Sequence, residues 1–230
     1  MHNILCSATF FGVMVSLLSY EFGLWLKRKT QSSICNPLLV SIVVTIAILL
    51  VLGVDYESYN AGAQYLSYLL TPATVCLAIP LYEQLSLLVR NIKAILIGIV
   101  AGVLASIGSV LGLCILFGLN HQYYVTLLPK SITTAIGMGV SEELGGIVTI
   151  TVSVIILTGV LGNIIAETVC KCFRITEPVA KGIAIGTAAH AIGTARALEM
   201  GEIEGAMSSL AIAVSGLITV GAASVFANLI

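Results

Sequence analysis

The chain has 230 residues, of which 58% are hydrophobic and only 9% charged, and its mean hydropathy is +1.09. A soluble domain carries about 25% charged residues, so this composition excludes an ordinary water-soluble globule. The net charge of −1 speaks against a nucleic-acid surface and leaves a polytopic membrane protein.

Apolar runs near the ~20 residues that cross a hydrocarbon layer recur along the chain. The expected spans are 3–26, 37–54, 63–82, 94–118, 147–169 and 206–228, within a single transmembrane domain over 1–230. Residues 1–118 supply scaffold spans and 119–230 a hairpin-containing core. The first span is followed, not preceded, by Lys27, Arg28 and Lys29, which is the wrong order for a signal peptide and suggests an outside N-terminus with the cluster in the cytoplasm. The second span exits to Asp55-Tyr56-Glu57. The third, broken by Pro72 and Pro80, returns to Arg90 and Lys93, and the fourth exits to Asn120-His121-Gln122. The six cysteines lie mostly in or beside apolar runs without zinc spacing, so they read as small packing residues.

Two further stretches, 127–146 and 178–205, are apolar but interrupted. The first carries Lys130, Gly137, Gly139, Glu142 and Glu143, and the second Gly182, Gly186, His190, Gly193, Arg196 and Glu199. If both crossed, the chain would have eight crossings and Lys171, Arg174 and Lys181 would lie outside. If both dip in and return, these cations lie inside, as basic loops should. The expected fold is therefore an all-α polytopic membrane protein with about six transmembrane helices and two re-entrant or broken-helix hairpins. Such backbone is tolerated only where protein or a water-filled cavity satisfies its polar groups, so both hairpins should be buried. Residues 133–145 also align without gaps on 189–201, matching at Ala135, Ile136, Gly137, Glu143 and Gly145. One crossing separates the two units, as in an inverted repeat whose broken segments meet at a transport site.

The residues able to carry chemistry lie in these stretches. Ser131, Thr133 and Thr134 stand where a half-helix could begin, whose free N–H groups favour an anion. If 187–194 is helical, Thr187, His190 and Thr194 share one face. His190 reads either as a neutral hydrogen-bonded core histidine or as a substrate or proton ligand. Arg196 can hold a substrate carboxylate or pair with Glu199 or Glu143, whereas Lys130 is placed nearer a hairpin end. Glu142 and Glu143 are candidates for ion coupling or for capping a hairpin in water, and Asn163 for ion coupling or for a hydrogen bond between helices. No metal or cofactor is expected: no second histidine or cysteine stands at ligand spacing, and there is no GxxxxGK[ST] or GxSxG motif to suggest an enzyme.

The segments Leu128-Pro129-Lys130-Ser131-Ile132-Thr133-Thr134, Ser141-Glu142-Glu143-Leu144-Gly145-Gly146, 186–199 and 205–211 resemble the LrgB/CidB family. That family includes the YohK-like bacterial proteins and the C-terminal half of the plastid glycolate/glycerate translocator. Ala135 stands where the family pattern has proline after the two threonines, which shifts the expected break to Gly137 and Gly139. The resemblance implies a multi-pass bacterial inner-membrane protein with an LrgA/CidA-type membrane partner, and a homo-oligomer is expected. It implies either transport of small carboxylates such as glycolate, glycerate or pyruvate, or an antiholin-like role in murein hydrolase export and lysis. Costly polar groups kept in two related hairpins favour transport, since a lysis pore needs only spans that oligomerise.

Overall fold

A computed structural model describes residues 10–30, 36–69, 72, 75–76 and 78–230, and among them all regular structure is helical. Three described helices are long and apolar enough to cross a membrane. The chain packs as two units, Met1–Cys76 and Leu77–Ile230.

The first unit holds α1 (Phe11–Thr30), α2 (Pro37–Leu52) and α3 (Tyr56–Ser67). Lys27, Arg28 and Lys29 close α1, where cations offset the partial negative charge of a helix C-terminus. The side chain of Asn36 accepts from Leu38 N at 2.8 Å, Pro37 fixes the first turn of α2, and Gly53 at φ 63° ends it. Asp55 then starts α3 by accepting from Ser58 N at 3.0 Å. The Ser58 hydroxyl and then its amide hold the Asp55 carboxyl below its ordinary value of 3.8. Residues 3–9 of the expected span 3–26 lie outside the described residues.

The second unit holds α4 (Ala78–Glu83), α5 (Leu85–Leu116), α6 (His121–Leu127), α7 (Thr134–Glu143), α8 (Val148–Cys172), α9 (Pro178–Met200) and α10 (Glu202–Phe226), with a 3₁₀ turn at Ala227–Leu229. Ile95, Ile99, Val103, Ile107, Val110 and Cys114 form one buried stripe of α5 at helical spacing, packed in a core with Met207 and Ala211 of α10. The expected span 63–82 is described only in part: α3 stops at Ser67, Pro72, Val75 and Cys76 are helical, and α4 is described from Ala78. Part of the expected break, including Thr71, Ala73 and Thr74, lies outside the described residues. Pro80 stands in the first turn of α4, where a missing N–H costs nothing. The fourth expected span starts earlier, at Leu85, because Arg90 and Lys93 are good helix formers that a hydropathy window does not register.

Candidate functional site

Both interrupted stretches fold back on themselves. In α9 the reversal is at His190, whose φ of 42° and ψ of −141° break the helix. A Cβ on Gly193 would lie 3.3 Å from the Ile185 carbonyl oxygen, eight residues earlier. A straight helix separates such residues by about 12 Å, so Pro178–Ala189 and Ala191–Met200 are two arms of a hairpin. The arms converge on the start of α10: a Cβ on Gly182 would meet Glu204 O at 2.5 Å, Lys181 Nζ lies 3.6 Å from Glu204, and Leu198 packs against Gly205. A non-glycine residue in this backbone region costs about 1–3 kcal/mol, offset here by docking of the ring. His190 is buried, its Nε2 is 3.0 Å from Ile155 O, and its ring rests where a Cβ on Gly159 would intrude to 2.6 Å. Asn163 Nδ2 donates to Ile192 O at 2.7 Å, satisfying a carbonyl beside the break. The broken backbone means that Thr187, His190 and Thr194 do not share one helical face, correcting that expectation.

The other hairpin runs down α6 and the turn Leu128–Ile132, then back along α7 from its N-cap at Thr133. Pro129 O and the Ile132 side chain face Gly137, while Thr126 lies beside Gly146 at the open end. There the Thr126 hydroxyl accepts from Ile147 N at 2.8 Å, and the Thr151 hydroxyl reaches Ser141 Oγ at 2.7 Å. The break precedes Thr134, whereas Gly137 and Gly139 lie inside α7; they are not the breakpoint, because Pro129 and the extended Thr133 already interrupt the helix.

The two hairpins dock on opposite ends of α8. The first has its open end beside Ile147–Thr151, and the second has its open end beside Glu167–Lys171. The tips meet at Ile155, whose Cδ1 abuts Gly137 and whose carbonyl oxygen is held by His190.

A cavity of about 800 Å³ lies between α5, the first arm of α9 and the α6–α7 turn. The Ser106 hydroxyl donates to Ser131 Oγ at 2.8 Å, and Lys130 Nζ donates to Ser131 Oγ at 3.1 Å and to Ser106 Oγ at 3.4 Å. Thr187 lines the same cavity, with its hydroxyl donated to Ile183 O at 2.8 Å. Among the described residues no salt bridge joins Lys130 to a carboxylate.

The remaining candidates stand elsewhere. Thr194 bonds Ser208 Oγ at 2.6 Å, toward α10. Thr133 and Thr134 start α7 without a side-chain cap, and Glu142 and Glu143 are exposed near its other end. Arg196 lines a separate recess of about 350 Å³, where its guanidinium grips Glu167 and, at 2.6 Å, Glu199. It is one of a set of pairs with Lys171–Glu167 and Lys181–Glu204. Glu143, a partner considered on sequence, does not reach it. Among the described residues no cluster of three His, Cys, Asp or Glu could hold a metal ion.

The model of the LrgB-like family matches residues 16–229. The chain belongs to the LrgB-like family. It is 40% identical over 212 residues, 92% of each chain, to a protein named antiholin-like protein LrgB from Bacillus mycoides (strain KBAB4). The same identity and coverage hold for proteins of that name from Bacillus cereus (strain B4264) and Bacillus anthracis. No solved structure matches the chain. Within this LrgB-like chain, sequence reasoning missed Lys130 and Ser106 as neighbours and Glu167 as the partner of Arg196. The lysine carried a signal, since an ammonium in an apolar stretch is costly enough to need a reason. The other two gave none, being separated from their partners by 24 and 29 residues.

Proposed function

We propose that this chain is a multi-pass inner-membrane carrier of small carboxylates such as glycolate, glycerate or pyruvate, with two re-entrant hairpins related as an inverted repeat. One observation carries this reading: two interrupted hairpins dock from opposite ends of α8 and meet at Ile155. Broken helices from two halves that converge at mid-depth supply polar backbone and side chains where a solute loses its water, and they leave each half free to rock against the common centre. The largely apolar cavity beside that meeting point, with Lys130, Ser106, Ser131 and Thr187 as its polar groups there, is large enough for such a solute.

A second reading is favoured by the relatives' printed name, which fits it more closely than it fits transport: an antiholin-like regulator of murein hydrolase export and lysis, acting with an LrgA/CidA-type partner. Purified protein in liposomes separates the two. A carrier takes up labelled carboxylate with saturation and without leak of larger dyes. Size-graded leak without saturation, or no flux until a partner is added, would count against transport and for the antiholin-like role.

A further inference from the structure

We infer that Lys130, with the hydroxyls of Ser106 and Ser131, is the anion-binding point of the chain, reached through a vestibule along α5 and the first arm of α9. This deepens the transport reading and rests on it for the nature of the solute, but not for the site itself.

Lys130 Nζ has two hydroxyl partners, Ser131 Oγ at 3.1 Å and Ser106 Oγ at 3.4 Å, and among the described residues no carboxylate pairs with it. Of the other cations of residues 119–230, Arg196, Lys171 and Lys181 are each engaged by a glutamate, and Arg174 is exposed in the turn after α8. Ser106 lies well inside α5, 10 residues from its last residue, or about 15 Å from the nearer end at 1.5 Å per residue. An ammonium at that depth, with neutral partners only, is the arrangement that an incoming oxyanion completes: the anion takes the charge, and the two hydroxyls, with several rotamers open to them, turn to donate to its oxygens.

The shape of the cavity gives the route. Gly98 faces Ile183 and Gly102 faces Thr187, so α5 and the first arm of α9 run side by side in the same direction. The lining extends along them from Leu87, Asn91 and Glu177 to Ser106, Ser131 and Lys130, a path of about 29 Å for 19 residues of α5. Its walls are small or apolar, with Ala94, Gly98 and Ala184 between the two ends. The lining continues one turn past Ser106 to Ser109, which is exposed. Arg90 and Lys93 flank the open end on α5 and raise the local anion concentration there. Among the described residues the only carboxylate on the lining, Glu177, is at that open end, far from Lys130. A solute with one negative charge is thus neutralised at Lys130, whereas a second charge would face small or apolar wall.

Charge-selective thiol labelling tests this without any transport. The full chain, with its native cysteines replaced and Ala105→Cys introduced on the cavity wall, is placed in liposomes and labelled with an anionic sulfonate or a cationic trimethylammonium methanethiosulfonate. The anionic reagent should react at least about tenfold faster, as expected for a unit charge near 10 Å at an effective dielectric of about 20. Lys130→Gln should abolish the preference, Lys130→Arg should keep it, and millimolar acetate or glycolate should slow the anionic reaction. Equal rates for the two reagents, or a preference that survives Lys130→Gln, would overturn the proposal. If Lys130→Gln does not fold, the preference in the Ala105→Cys protein and its loss under acetate decide alone. A Lys130-dependent preference without carboxylate uptake leaves this site standing and removes the transport reading; saturable uptake without the preference does the reverse.

Discussion

Replacing Arg196 by glutamine distinguishes a structural arginine from a substrate ligand, and the structure sets the size of the effect. The guanidinium is committed to Glu167 and Glu199, with side-chain exposures of 25% for the arginine, 40% for Glu167 and 52% for Glu199. Breaking a buried ion pair costs about 3–5 kcal/mol because a charge is stranded away from water. Neither glutamate is stranded here: both reach solvent, and Glu167 keeps Lys171 at 2.8 Å. Pairs this open contribute about 0.2–1 kcal/mol each, so the loss of both amounts to roughly 0.5–2 kcal/mol. For a chain of this length that lowers the midpoint by about 1–8 °C. Melting temperature and carboxylate affinity are measured on the same detergent-purified preparations. The expected result is a modest drop in the first and no change in the second. An unchanged melting temperature with uptake affinity weakened about tenfold, or 1.4 kcal/mol, would refute the assignment and return the carboxylate to Arg196.

Gly186→Val should destabilise by about 1–3 kcal/mol or more, because a Cβ there meets Ser208 O at 2.5 Å and Ala211 Cβ at 2.8 Å, read as a lower melting temperature. Asn163→Leu leaves Ile192 O without its side-chain donor and should cost about 1–3 kcal/mol, with faster amide exchange confined to the hairpin tip. Gly159→Ala pushes the His190 ring off Ile155 O, so its NMR ring signals should shift while those of His121 stay fixed. Asp55 is held below its ordinary value of 3.8, so its support of α3 is complete above that pH and fades as pH falls through the lowered value. The protection of the Ser58 amide, its exchange relative to the intrinsic rate at each pH, should therefore fall at acid pH, and Asp55→Asn should flatten that dependence.

The hairpin regions were legible because charge and glycine in an oily background mark backbone that cannot face lipid. Their limits were less so. The first hairpin starts at His121, not 127, since α6 is its descending arm, and this moves Lys130 from a presumed end to the turn. A hydropathy window misses that arm, because His121-Gln122-Tyr123-Tyr124 is not apolar enough to register, although Tyr124 is fully buried with its hydroxyl on Phe226 O. The choice between Arg196 and Lys130 was also beyond pattern reading. It depends on Glu167, 29 residues from Arg196, and on Ser106, 24 from Lys130. In helices those distances carry no fixed geometry. The break at His190 was half visible: flanking glycines marked a loose region, but nothing local says that a histidine, not a glycine, takes the positive φ.

Ile155 ties together two elements that enter from opposite ends of one helix. Its side chain fills the space left by Gly137, and its carbonyl oxygen anchors the His190 ring. Sliding either tip along α8 by a single residue, about 1.5 Å, changes the seat of the other. The two hairpins are therefore energetically coupled through one residue, and a ligand that draws one tip inward alters the free energy of releasing the other.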